Sequence, residues 1–171
     1  MSIVKDTISI TVITLVAGLA LGVVQDITAD PIAEQKMKAK QEAYKSVFPD
    51  ADRFGEVELG DKTQELAGVL SDSGYGAQTI DEVMTAFDAS DNEIGYAFTV
   101  TTSEGYGGDI QFAMGVQKDG TLNGISILSI SETAGLGMKA TEPAFKDQFK
   151  DKNVEKFTYT KNGEKGDDKI D

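Results

Sequence analysis

Residues 109–130 decide the fold, and they read DIQFAMGVQKDGTLNGISILSI. Two apolar runs with β-branched residues, Asp109–Val116 and Leu122–Ile130, lie on either side of the pair Asp119-Gly120. An Asp-Gly pair between two such runs is a strong signal for a tight β-hairpin, because both central positions of the turn need a positive φ. The stretch therefore predicts two antiparallel strands joined by a short turn.

Two further strands are predicted upstream of this hairpin. Val83–Phe87 is followed by a turn at Asp91-Asn92 and then by Ile94–Thr101, in which apolar and polar residues alternate. Four strands joined by short turns predict an antiparallel sheet. Downstream, Thr141 is predicted to cap a helix that covers one face of the sheet with Ala144, Phe145 and Phe149. The predicted class is α+β.

The N-terminal region contains an uncharged apolar run, Ile8–Val24. As a helix it would be about 25 Å long, close to the thickness of a hydrocarbon core. We interpret residues 1–29 as an uncleaved membrane anchor, since the apolar core of the alternative, a signal peptide, should be about 7 to 15 residues. Gly18 and Gly22 are spaced to admit a partner membrane helix, although such a pair also arises by chance.

Residues 30–171 are predicted to form one domain. Asp30 and Pro31 favour the start of a helix that ends before Pro49. This helix would carry an apolar stripe of Ala33, Met37, Tyr44, Val47 and Phe48. Residues 50–80 show little pattern apart from a short helix near Thr63–Leu70, and the charged tail, residues 161–171, is predicted to be solvated and mobile.

Composition excludes several classes of function. The chain has no Cys, His or Trp, so we expect no metal site of the usual Cys/His kinds, no iron–sulfur cluster and no catalytic dyad that needs those residues. The net charge of −13 and a single arginine, Arg53, argue against nucleic-acid binding. If the protein transfers electrons, an organic cofactor must carry them.

Two glycine-containing loops are the candidate binding site. Gly105-Tyr-Gly-Gly108 precedes the first hairpin strand, and Ser131-Glu-Thr-Ala-Gly-Leu-Gly137 follows the second, so the two loops should lie within reach of each other. Glycines let a backbone approach a flat ligand, which Tyr106 could stack on or shield. The dinucleotide-binding alternative at the second loop fails, because its fingerprint belongs to a parallel βαβ unit. The candidate residues are Tyr106, Gly107, Gly108, Glu132, Thr133, Gly135, Leu136, Gly137 and Lys139.

These motifs resemble a known family. The stretches AYKSVFPDAD (43–52), GYGGDI (105–110), SETAGLGM (131–138) and FKDQF (145–149), together with one N-terminal span, are similar to the FMN-binding domain found in the G subunit of the Rnf complex and in the related C subunit of the sodium-pumping NADH:quinone reductase. The resemblance implies that Tyr106, Glu132, Thr133, Leu136 and Gly137 surround the isoalloxazine ring of FMN.

The resemblance also implies a cellular role. The Rnf complex oxidises reduced ferredoxin, reduces NAD and couples this to sodium or proton export, and its other membrane and iron–sulfur subunits would be the partners. The anchor would then span the cell membrane of a bacterium or archaeon once, with the soluble domain on the extracytoplasmic side.

Proteins of this family hold FMN through a phosphoester to the threonine of a Ser-Gly-Ala-Thr motif, which the 171 residues do not contain. We expect that threonine beyond Asp171, in a longer sequence of which this one is a part. Three alternatives remain open at this point. They are a flavin-free paralogue that serves as a non-redox binding module, a flavoprotein of another electron-transfer pathway, and the Rnf assignment itself.

Overall fold

The computed structural model describes residues 3–161, 163–164 and 166–171. The chain forms two compact units, residues 1–39 and residues 40–171. The first helix, α1, covers Ile3–Val47, and its N-terminal part is long and apolar enough to cross a membrane. The predicted helix start at Asp30-Pro31 is wrong, because Pro31 lies inside α1. A proline costs a helix about 3 kcal/mol, and the Ala-, Gln- and Lys-rich sequence that follows it favours continuation of the helix.

A five-stranded antiparallel sheet forms the centre of the second unit. Its strands run in the order β1-β2-β3-β4-β5, and each pairs with the next along the chain. Their bounds are Arg53–Glu56, Gln78–Phe87, Glu93–Thr102, Ile110–Gln117 and Leu122–Ser129. The four predicted strands are confirmed, as is the α+β class. Sequence reasoning missed β1 and the first half of β2.

The C-terminal end of α1 packs on one face of this sheet. Tyr44, Val47 and Phe48 are each 3% exposed or less. They lie against small side chains of the three central strands, namely Ala86, Ala97 and Ala113. The helix comes so close to β4 that a Cβ added to Gly115 would be 2.9 Å from Phe48 Cε2. Ala33 and Met37, predicted to belong to the same apolar stripe, are instead exposed.

A polar cluster joins the same helix end to the sheet. The Tyr44 hydroxyl hydrogen-bonds to Glu82 Oε2 and to Thr99 Oγ1, the latter at 2.6 Å. Lys40 Nζ donates to Glu82 Oε2 at 2.8 Å. Burial, followed by the hydrogen bond to Glu82, raises the pKa of Tyr44. Burial acts most strongly on Glu82 and opposes ionisation, but the hydrogen bonds from Lys40 and Tyr44 outweigh it and lower the pKa of Glu82.

The remaining helices are short. Helix α2, Lys62–Asp72, confirms the helix predicted near Thr63–Leu70. The helix predicted to begin near Thr141 is confirmed only in part. A single α-helical turn (α3) covers Pro143–Lys146, with a 3₁₀ turn at Gly137–Thr141 before it and another at Asp147–Phe149 after it. The predicted cap at Thr141 is wrong. Proline at the first helical position makes Glu142 the N-cap instead of Thr141, whose hydroxyl donates to Met138 O.

The C-terminal tail is more ordered than predicted. Thr158–Tyr159 (β6) and Lys169–Ile170 (β7) pair as short parallel strands. Ile170, the tail's one apolar residue, is 7% exposed, so its burial explains why this segment is held. The prediction of a wholly solvated tail is therefore wrong for this part of the described residues.

Candidate functional site

The sheet topology brings the two predicted loops to the same edge. Loop one, residues 103–109, joins β3 to β4, and loop two, residues 130–136, follows β5. Because β4 lies between β3 and β5, the register places Thr102 opposite Ile110 and Gln111 opposite Ser129. The end of β3, the start of β4 and the end of β5 are thus side by side, and both loops extend from them.

The loops are in direct contact, which confirms the predicted proximity. The backbone N–H of Gly107 donates to Glu132 Oε1 at 3.0 Å. A Cβ on Gly107 would overlap the carbonyl oxygen of Ser131, and a Cβ on Gly105 would be 3.0 Å from Glu132 Oε1. Gly107 is therefore needed for the close approach of loop two, in addition to any turn it makes.

Loop two folds around its own glutamate. The carbonyl of Thr133 accepts hydrogen bonds from the N–H groups of Leu136 and Met138, at 3.1 and 3.3 Å, which closes a turn. Gly135 has a φ of +75°, a value that favours glycine at this turn. A Cβ on Gly137 would be only 2.6 Å from Glu132 Cβ. The Glu132 side chain accordingly lies between the two loops.

Apolar side chains of both loops extend into solvent. Tyr106 is 96% exposed and Leu136 is 72% exposed. Beside them, Gly108 (φ +118°) and Gly135 have positive φ values, and no atom lies within 4 Å of a Cβ added to either. Exposed aromatic and aliphatic groups beside open backbone make a surface that can take a flat ligand without moving the strands.

The residues present fit a flavin ring. Isoalloxazine has broad apolar faces and a polar edge, and Tyr106 and Leu136 can cover the faces. Thr133 and Lys139 supply a hydroxyl and an ammonium group for the edge. The open sides of Gly108 and Gly135 leave room for the ring to approach the backbone.

The nine predicted site residues all fall in these loops or in the 3₁₀ turn that follows. Seven of them fall into two groups in the structure, and the other two, Thr133 and Lys139, are exposed. Gly107, Glu132 and Gly137 join the loops to each other, whereas Tyr106, Gly108, Gly135 and Leu136 face outward. Their part in binding a flavin remains a prediction.

Sequence reasoning missed two features of the site. A Cβ on Gly105 would overlap the carbonyl oxygen of Gly108, at 2.2 Å, and would also touch Glu132 of loop two. A cavity of about 320 Å³ lies next to the site, and its lining is Lys139, Glu142, Ala144, Phe145, Gln148 and Asp171. The side-chain amide of Gln148 holds the backbone of Asp171, accepting from its N–H at 2.7 Å and donating to its carbonyl at 3.0 Å. No local sequence pattern indicates this long-range pairing.

Comparison with known proteins identifies the family of this chain. Residues 105–171, which include loop two and loop one from Gly105 onward, match the FMN-binding domain family. The G subunit of the proton-translocating ferredoxin:NAD(+) oxidoreductase complex of Clostridium ljungdahlii is 30% identical over 160 residues, which are 94% of this chain and 75% of that protein. The G subunit of the Na(+)-translocating complex of Acetobacterium woodii is 31% identical over 145 residues, covering 84% of this chain and 67% of that protein.

The chain belongs to the family formed by the G subunits of ion-translocating ferredoxin:NAD(+) oxidoreductase complexes. The apolar N-terminal helix and the membrane complexes of these relatives together indicate that it is membrane-associated. The crystal structure of Shewanella oneidensis NqrC resembles this chain with a TM-score of 0.45 and 20% identity, covering 53% of this chain and 45% of that one.

Proposed function

We propose that this chain is the electron-transfer flavoprotein subunit of a membrane-bound, ion-translocating ferredoxin:NAD(+) oxidoreductase complex. The contact between the two loops supports the proposal most directly, because it brings the exposed Tyr106 and Leu136 to one edge of the sheet. The match to the FMN-binding domain family covers all nine predicted site residues. The subunit is not catalytic alone, since the complex as a whole is the oxidoreductase and translocase.

FMN is the cofactor, and the nine predicted residues form its site, in which Gly107, Glu132 and Gly137 hold the two loops together. When bound, it supplies one-electron and two-electron redox chemistry that the side chains of this chain lack. Tyr106 and Leu136 exclude water from the ring faces, and Thr133 and Lys139 hydrogen-bond to the polar edge. Such contacts adjust a redox potential through burial and hydrogen bonding.

The site is tested by substitutions in loop two and at the start of the 3₁₀ turn that follows it. Leu136→Asp places a charge where the ring should lie, and Gly137→Val forces a branched side chain into Glu132. Both should lower the flavin content of the purified protein, read from its visible absorption, while Leu136→Met keeps the content near that of the wild type. Normal loading in both disruptive variants would exclude loop two from the site. A purified wild-type protein without a flavin spectrum would favour a non-redox binding module.

We also propose that the flavin is attached covalently, through a phosphoester to a threonine, as the family resemblance implies. The protein expressed from its complete gene should give a fluorescent band on a denaturing gel. A dark band from membranes that contain flavin would contradict covalent attachment.

The remaining part of the proposal concerns place and partners. Residues 1–29 would anchor the chain by a single span, and residues 30–171 would form the FMN-binding domain on the extracytoplasmic side. A Cβ added to Gly18 or Gly22 would have no atom within 4 Å, so this side of the membrane helix would admit a helix of another membrane subunit. Iron–sulfur subunits would be the other partners.

Protease digestion of sealed vesicles of known orientation tests on which side of the membrane the domain lies. Co-purification with the other subunits after Gly18→Ile and Gly22→Ile tests the helix contact.

A further inference from the structure

We infer that Glu132 is a positioning residue, which fixes the two loops relative to each other and acts on the ring only through them. The inference rests on the proposed flavin site. It replaces direct contact between Glu132 and the ring with an indirect role.

The carboxylate is directed at loop one. Its Oε1 accepts the N–H of Gly107 at 3.0 Å and is also 3.0 Å from where a Cβ on Gly105 would lie. Hydrogen bonds from a backbone N–H to an ionised acceptor belong to the stronger class. Among the residues that the structure describes, this is the only hydrogen bond between the two loops.

The aliphatic part of the same side chain supports loop two. A Cβ on Gly137 would be 2.6 Å from Glu132 Cβ and 2.8 Å from Glu132 Cγ, so the absence of a side chain at Gly137 leaves the room that the glutamate fills. Glu132 is partly buried, whereas Thr133 through Gly137 are exposed. One side chain therefore sets the separation of the loop carrying Tyr106 from the loop carrying Leu136.

The chain contains no cysteine, which permits a direct measurement of that separation. Replacing Tyr106 and Leu136 with cysteine in the full chain allows one spin label on each loop, and pulsed electron paramagnetic resonance gives the distance distribution between them. We expect a narrow distribution with Glu132 present. Glu132→Gln keeps the length and an accepting oxygen, so the distribution should stay narrow. Glu132→Ala should broaden it, and Gly137→Ala should do the same by displacing the glutamate.

A second readout uses the flavin in the chain with native Tyr106 and Leu136. Iodide quenching of flavin fluorescence should become steeper in Glu132→Ala and remain near the wild-type slope in Glu132→Gln. Glu58→Ala, an exposed carboxylate in the segment before α2, is the control for loss of charge. Far-UV circular dichroism confirms that each variant retains the sheet.

The outcomes separate the inference from the proposed function. Unchanged distance distributions in both Glu132→Ala and Gly137→Ala would overturn the positioning role, even if flavin is bound. Broadened distributions, together with a wild-type protein that binds no flavin, would support the positioning role and contradict the flavin site. If Glu132→Gln quenches like Glu132→Ala while its loops stay fixed, the charge acts on the ring directly and the inference fails.

Discussion

The hydroxyl of Tyr44 offers the most quantitative test of how the helix end is held on the sheet. Tyr44→Phe removes one oxygen and keeps the ring, whose centroid is 5.6 Å from that of Phe54. The substitution therefore leaves the apolar contacts of Tyr44 in place. What it removes are the hydrogen bonds to Glu82 and Thr99.

The expected loss follows from those two partners. The bond to Thr99 is between neutral groups, and a bond of this kind contributes about 1 kcal/mol. The bond to the Glu82 carboxylate belongs to the charged class, worth about 1.5–3 kcal/mol. Glu82 keeps Lys40 at 2.8 Å and its side chain is 24% exposed, so water can replace part of what is lost. We expect Tyr44→Phe to lower the free energy of unfolding by about 2–3 kcal/mol at neutral pH.

The loss should depend on pH through Glu82. The pKa of Glu82 is lowered in the folded state, so its contribution to stability is present above the pKa of the unfolded chain, about 4.3. That contribution disappears as the pH falls through the folded-state pKa, because a protonated Glu82 no longer offers a charged acceptor. The destabilisation caused by Tyr44→Phe should therefore be largest at neutral pH and smaller below about pH 4.

Urea unfolding of the full chain in detergent, followed by near-UV circular dichroism of the tyrosines, measures both quantities. Tyr159→Phe is the matched control, since Tyr159 is 78% exposed and the change should stay within about 0.5 kcal/mol. A Tyr44→Phe effect as small as that of the control, or one that is the same at pH 7 and below about pH 4, would refute the assigned hydrogen bonds.

Three further substitutions test the packing by the same urea assay. Gly115→Ala should destabilise the domain by about 1–3 kcal/mol, because the new methyl group would press on Phe48; an effect near zero would contradict the close contact. Gly68→Ala, in α2 with no atom within 4 Å, should stabilise it by about 0.5–1 kcal/mol, and a loss of stability would mean that this face is covered. Arg53→Gln removes an exposed ion pair with Asp91 and the contact of the guanidinium with the Phe87 ring, 3.7 Å away, and should cost about 0.5–2 kcal/mol, less at high salt; a loss that does not change with salt would contradict a contribution from the ion pair.

The hairpins were predictable because their signals are local. Asp91 has a φ of 65° and Gly120 a φ of 86°, and Asp and Gly are residue types that tolerate this conformation at turns. The alternation in β3 is regular along its length. In contrast, the register of β2 shifts between Ile80 and Glu82, and this irregularity breaks the period of two on which strand prediction depends. The first half of β2 was missed for that reason.

The segment after loop two was mispredicted because distant residues determine it. Phe149 packs edge-on against both Phe145 and Phe157, with ring centroids 5.3 and 5.2 Å apart. The aromatic spacing of Phe145 and Phe149 looks helical in sequence. In the structure, Phe149 also contacts Phe157, eight residues further along the chain, and the segment forms a short α-helical turn and a 3₁₀ turn instead of one continuous helix.

The site divides in the same way between local and distant information. Glycine and polar residue types indicated both loops, and hairpin pairing indicated that they are neighbours. The orientation of Glu132 could not be predicted, because its partner Gly107 is 25 residues away in sequence. From the sequence, a glutamate among predicted ligand-binding residues is expected to face the ligand. In the structure, its side chain lies close to Gly105 and Gly137, between the two loops.

A charged residue explains why the buried part of α1 is shorter than the predicted apolar stripe. Tyr44 is buried, and one helical turn earlier the same face presents Lys40, whose ammonium group pairs with Glu82. An apolar contact that extended along the helix past Lys40 would bury the ammonium group away from water. The free-energy cost of burying that charge is larger than the gain from one more apolar contact. Met37, 56% exposed, lies beyond this point although it continues the helical spacing. The pair of Lys40 and Glu82, rather than a further apolar residue, therefore closes the buried face of this helix end.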